Sequence, residues 1–166
     1  MNNSREITIA IDAMGGDRGT TSIIKGAFLA SKKMSKIKFI FFGKKEKITP
    51  LLKKNKILDI SEIVNTQQAI SNNTKPTDAL RKYRKSSMFR AIDSVKSGTS
   101  DAVVSSGNTG ALMVISTVLL KTIKGINRPA IASIFPSNKS ETVMLDLGAN
   151  IECDIKNILD FAIMGK

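Results

Sequence analysis

Four times in succession a short apolar run closes on a turn and gives way to apolar residues at helical spacing, and that alternation admits few folds. The runs are Glu6 to Ala13 (EITIAIDA), Ile37 to Phe42 (IKFIFF, ended by Gly43), the weaker Ile57 to Val64, and Ala102 to Val104. The helical patterns between and after them carry Ile24, Ala27 and Phe28; Leu51 and Leu52 behind a Thr49–Pro50 start; Met88, Ile92 and Val95 behind Ser86–Ser87; and Leu112, Ile115, Leu119 and Leu120. Two more strands, Ala130 to Phe135 and Thr142 to Leu147, flank a polar hairpin-like connection, Pro136 to Ser140. A final stripe of Ile155, Ile158, Leu159, Ala162 and Ile163 follows. Alternation of this kind predicts a doubly wound α/β fold, a mostly parallel sheet with helices on both faces, in a single domain over the 166 residues. The β-branched run Ala102–Val104, bounded by turn residues, reads as a central strand buried on both faces.

The chemistry sits at the strand ends. Asp101 to Leu112 (DAVVSSGNTGAL) passes from strand to helix through Ser105, Ser106, Gly107, Asn108, Thr109 and Gly110. Glycines let the backbone turn sharply and let a ligand approach it, while Ser, Asn and Thr supply hydrogen bonds and a helix N-cap. A helix start of this kind aims N–H groups and partial positive charge at one point, which suits a phosphate or a developing oxyanion; a plain capped turn would read the same way. The first strand runs into Met14-Gly15-Gly16-Asp17-Arg18-Gly19, bracketed by Asp12 and Asp17, and Thr20, Thr21 and Ser22 stand ready to cap the next helix. Such acids bind a metal, orient a hydroxyl or hold the loop's own N–H groups. A third small-residue loop, Gly148-Ala149-Asn150, follows Asp146. In open α/β sheets ligands bind beyond the carboxyl ends of the strands, so these loops are expected to converge on one anion site. Ser71 to Asp78 (SNNTKPTD) reads only as a loop.

Composition narrows the mechanism. There is no histidine and one cysteine, Cys153, so Ser-His-Asp and Cys-His machinery, an internal disulfide and a zinc site built from this chain are all excluded. No metal and no cofactor are expected. The net charge is +12, and it is uneven: eleven lysines and one acid lie between Lys25 and Lys56, while Glu141 to Asp160 holds five acids and only Lys156. A basic surface gathers acidic partners, among which nucleic acid, an anionic membrane and an acidic protein all qualify, or it is simply a solvated face. Aromatic residues make up 5% and no recognition motif occurs, so nucleic acid is not expected. The opening MNNSREITIAIDAMGG lacks the charged and apolar regions of a signal peptide, and no apolar run approaches the ~20 residues of a membrane span, which places the expected location in the cytoplasm.

Five segments resemble one known family. ITIAIDAMGGDRG, Arg84-Lys85-Ser86-Ser87-Met88, VVSSGNTGALM, GINRPAIAS and VMLDLGANIECD followed by FAIMG closely resemble the bacterial phosphate acyltransferases of phospholipid synthesis, the PlsX type, in family order from Ile7 to Gly165. Members are about twice this length, so the chain resembles their N-terminal half. The resemblance implies a Rossmann-like fold related to phosphotransacetylases and isopropylmalate dehydrogenases. It also implies transfer of a fatty acyl group from acyl carrier protein to inorganic phosphate. Carried over by motif, Asp12, Gly15, Gly16 and Asp17 would form one wall of the site. Ser105, Gly107, Asn108, Thr109 and Gly110 would form the phosphate or oxyanion cradle, and Asp146, Gly148 and Asn150 the third wall. Asn108, Thr109, Asp146 and Asn150 would stand closest to the chemistry. A homodimer and peripheral membrane contact, both through the remaining half, are further implications. Arg18, Thr20 and Ser106 stand where the family usually has an aromatic residue, a proline and an alanine.

Overall fold

The structure, a computed structural model, describes residues 5–138, 140–148 and 153–165. It divides into two compact units, Met1–Leu120 and Lys121–Lys166. In the first, β1 (Ile7–Asp12), β2 (Ile37–Gly43), β3 (Ser61–Asn65) and β4 (Ala102–Val104) form one four-stranded sheet in the order β3-β2-β1-β4. Every pairing is parallel: Ile9 sits opposite Phe39 on one side of β1 and opposite Ala102 on the other. The chain therefore winds outward from β1 to β3, then returns across the sheet to lay β4 on the opposite flank of β1. The loops leaving β1 and β4 straddle that reversal, the position where such sheets bind ligands.

Side chains alternate across the pleat, and each face has its own core. Ile11, Phe39 and Phe41 pack against Ile24 and Ala27 of α1 (Gly19–Lys33) and Ile48 and Leu52 of α2 (Lys45–Lys54). Their neighbours in sequence, Ala10, Ile40 and Phe42, face the other way and meet Ala91 of α4 (Ser87–Lys96). Alanine at both 10 and 91, each wholly buried, lets that helix lie close on β1. Beyond it, Met88 and Ile92 pack with Ala79 of α3 (Pro76–Lys82) and with Ala111 and Ile115 of α5 (Thr109–Leu120). Helices on both faces of a parallel sheet are what the alternation predicts.

The differences from expectation have local causes. β4 is an edge strand, not a central one, and Val104 is 55% exposed, because among the described residues β1 is its only strand partner and only Val103 turns toward the packed helices. Within α5, Ile115 is buried and Leu112 and Leu119 are half-buried, but Leu120 is exposed. Helix α2 starts at Lys45, so Pro50 lies inside it instead of opening it. Thr20 does not cap α1; its hydroxyl donates to the Ala13 carbonyl (2.8 Å), and Arg18 occupies the N-cap with no side-chain bond. Ser86 does cap α4, accepting from the Phe89 N–H at 3.2 Å. The residues before β3 form a 3-10 turn, Leu58–Ile60.

In the second unit β5 (Ala132–Pro136) and β6 (Glu141–Leu145) make an antiparallel hairpin, followed by α6 (Ile155–Met164). Helix α6 is oriented against its apolar pattern: Asn157 and Asp160 are buried while Ile155 (88% exposed), Ile158, Leu159 and Ile163 face outward. Asn157 completes a reciprocal capping box with Asp154. Asp160 accepts from the Asn127 backbone N–H (2.8 Å) and side-chain amide (3.0 Å), which anchors the polar side inward and holds its carboxyl below its ordinary value of 3.8.

Two measurements check this fold. Replacing Phe41, wholly buried in the α1-side core, by alanine should cost about 3–5 kcal/mol in urea unfolding, whereas Val118→Ala on the exposed side of α5 should stay within about 0.5 kcal/mol. A carboxyl depressed in the folded state contributes stability above its ordinary pKa and loses it as pH falls through the folded one. The Asn127 amide resonance should therefore titrate with a midpoint below 3.8, and Asp160→Asn should remove that titration.

Candidate functional site

Asp12 ends β1 at the reversal point, and its side chain is 2% exposed. A carboxylate buried to that extent must have donors, and here they come from both loops. Its Oδ1 accepts the Met14 N–H (3.2 Å) and its Oδ2 accepts the Ser105 hydroxyl (2.7 Å). Ser105 Oγ in turn accepts the Gly107 N–H at 3.1 Å, and the Ser106 hydroxyl donates to the Gly15 carbonyl at 3.2 Å. The two loops are in backbone contact. A Cβ on Gly15 would stand 2.5 Å from Asp12 Oδ2 and 2.9 Å from the Gly107 nitrogen, and one on Gly16 (φ +81°) would meet the Ser106 carbonyl oxygen at 2.8 Å. Glycine at 15 and 16 is thus required by the way one loop seats on the other.

Asn108 stands where α5 begins. Its Oδ1 accepts the Ala111 N–H (2.9 Å), which makes it the helix cap. Its amide nitrogen lies within hydrogen-bond reach of three carbonyls, those of Ser71 (3.2 Å), Asn72 (3.0 Å) and Thr74 (2.9 Å). The Asn72 amide also donates to Asp17 Oδ1 at 2.6 Å, and a Cβ on Gly110 would press on Pro76 Cγ at 2.8 Å. The segment from Ser71 to Pro76 therefore joins both glycine loops, a role that its composition does not announce. Its position does: it follows β3, and in a parallel sheet the chain leaving β3 emerges at the same edge as that leaving β1 and β4.

With the Asn108 side chain committed to capping and clamping, what this edge offers a ligand is backbone. The N–H groups of Ser106, Asn108, Thr109 and Gly110 make no hydrogen bond among the described residues, and they sit at the positive end of a 12-residue helix with no acid in its first turn. Thr109 is exposed beside them. Helix α1 opens toward the same edge, also without an acid in its first turn, behind the exposed Arg18. A groove of about 630 Å³ starts at Asp12, Gly16, Ser105 and Ser106 and continues along α1 over Ile9, Ile11 and Val104, so its mouth is polar and its length apolar.

Asp146 and Gly148 belong to the second unit. Both have left-handed backbones (φ +61° and +75°), the Asp146 N–H donates to Ile131 and the Gly148 N–H to Asp146. The Cys153 thiol donates to Asp146 Oδ2 at 3.4 Å; partial removal from water and that carboxylate push its pKa up, away from thiolate chemistry. Asn150 lies outside the described residues. Among the described residues no group of three or more His, Cys, Asp or Glu side chains gathers as metal ligands, and no helix is long and apolar enough to cross a membrane.

Residues 7–166 match the family described as fatty acid synthesis protein. The chain is 48% identical over 163 residues to the phosphate acyltransferase of Rhodospirillum centenum, covering 98% of this chain and 46% of that protein. It is 46% identical over 165 residues to the Parvibaculum lavamentivorans phosphate acyltransferase (98% and 46%) and 48% identical over 164 residues to that of Anaplasma phagocytophilum (96% and 48%). The chain spans about half the length of the curated relatives it matches. With its strand order, its two interlocked strand-end loops and this match over nearly its whole length, the chain belongs to the fatty acid synthesis protein family.

Proposed function

We propose that the chain takes part in transferring a fatty acyl group from acyl carrier protein to inorganic phosphate, together with a part equivalent to the half of its relatives that it does not match. A phosphate oxygen attacks the thioester carbonyl, the C–S bond breaks, and acyl phosphate and the carrier thiol result. Phosphate is itself the nucleophile, so a chain with no histidine loses nothing; the protein's work is to hold an anion near the thioester and to stabilise the oxyanion. The observation that carries this reading is the set of N–H groups at Ser106, Asn108, Thr109 and Gly110 that have no partner among the described residues, at the sheet's reversal point and beside an apolar groove. Thr109 adds a hydroxyl there, and Asp17, held by Asn72, borders it. The charge of +12 supports an acidic carrier as the partner.

A second reading, a noncatalytic phosphate-binding module of the same fold, draws on the exposed apolar side of α6 and the half length. Acyl phosphate formation from acyl carrier protein thioester and phosphate separates the two, measured on this chain co-expressed with the unmatched part of the Rhodospirillum centenum relative. Turnover supports the first reading; phosphate binding without turnover supports the second. In an active complex, Asn108→Ala removes the cap and the clamp that place the donors and should lower kcat/KM by about 10²-fold, the scale of losing one oxyanion donor. Association with acyl carrier protein should weaken steadily as salt is added; affinity indifferent to salt would remove the electrostatic basis for that partner.

A further inference from the structure

Resting on the reading of the α5 start as the anion-facing surface, we propose that Asp12 is a positioning residue that acts through Ser105 to set the Gly107 peptide. The carboxylate is 2% exposed, and Gly15 closes over it so tightly that even a methyl group there would stand 2.5 Å from Oδ2. Asp12 stands at the polar end of the groove, but almost none of its surface is open there. Its oxygens are instead committed to donors within the protein, Oδ1 to the Met14 N–H and Oδ2 to the Ser105 hydroxyl.

The direction of the relay follows from hydrogen count. Ser105 has one hydroxyl proton, and an ionised carboxylate can only accept, so that proton points at Asp12. The lone pairs of Ser105 Oγ are thereby turned toward Gly107, whose N–H they accept at 3.1 Å. A serine whose proton pointed elsewhere would lose that alignment. The charge at Asp12 also polarises the Ser105 hydroxyl and makes its oxygen a better acceptor. Gly107 is held from the other side by backbone: a Cβ there would lie 3.3 Å from the Gly15 Cα and 3.0 Å from Met88 Cε. Two consequences result. The Gly107 N–H is withdrawn from the donors that a ligand meets, and the peptide that follows it delivers Asn108, Thr109 and Gly110 in one orientation. A buried negative charge beneath an anion site would repel the anion if left bare; the two donors on Asp12 weaken that repulsion.

Amide hydrogen exchange and ¹⁵N-resolved NMR on this chain test the relay without any need for turnover. Ser105→Ala and Asp12→Asn should each speed exchange of the Gly107 amide about tenfold or more, with the β2 amides unchanged, and Ser105→Thr, which keeps the hydroxyl, should restore protection. Ser105→Ala lies in a half-buried loop and keeps the core, so it decides the matter if Asp12→Asn unfolds. Unchanged Gly107 exchange in Ser105→Ala, or a threonine variant that behaves like alanine, overturns the proposal. Titration with inorganic phosphate forms a separate arm. Shifts at Ser106, Asn108, Thr109 and Gly110 with none at Asp12 fit a positioning role, and a shifted Asp12 carboxyl carbon signal overturns it. Absence of phosphate binding would count against the anion site while the Gly107 exchange still judges the relay.

Discussion

One buried carboxylate at the end of β1 holds the carboxyl edge of the sheet together. A parallel sheet whose order reverses beside β1 leaves two loops, from non-adjacent parts of the chain, meeting over a single strand end. Each brings backbone N–H groups that burial would leave unsatisfied. Asp12 absorbs one from its own loop directly and one from the other through Ser105, and the glycines at 15, 16 and 107 remove the side chains that would keep the loops apart. Close seating of backbone on backbone is possible only with both devices, and the remaining amides of the second loop make no hydrogen bond among the described residues.

Asn108 performs the complementary task on the other side of the same loop. Its carbonyl oxygen caps α5 and its amide reaches three carbonyls of the segment after β3, so the starts of helix and clamp share one side chain. Three strand ends are thereby tied: β1 to β4 through Asp12, β4 to the β3 exit through Asn108, and the β3 exit back to the β1 loop through Asn72 and Asp17. A closed ring of this kind resists the loop motion that would blur an array of backbone donors, and rigid donors stabilise developing charge without reorganising.

Apolar surface is distributed unlike that of a self-contained domain. Val104, Val118 and Leu120 in the first unit, and Ile155, Ile158, Leu159 and Ile163 in the second, are exposed, while the polar Asn157 and Asp160 are buried. Patches of that composition accompany interfaces. They agree with a chain that spans about half the length of its curated relatives.

Alternating apolar runs and helical stripes determined the α/β class, the parallel sheet and the loops that bear glycine, because strand and helix periodicity and the crossover rule are properties of local sequence. The same text could not tell a strand at the centre of a sheet from one at its edge: Ala102–Val104 has the composition of the first and the position of the second, and only pairing decides. Glycines 15 and 16 are legible as loop glycines, but that they meet Asp12, Gly107 and Ser106 instead of a ligand is a matter of which backbone lies opposite. The roles of Asn108 as clamp, of Ser71 to Thr74 as its partner and of Asp160 as an inward anchor were likewise decided by tertiary structure. Hydrogen bonds between residues thirty-three to ninety-three positions apart leave no periodic trace along the chain.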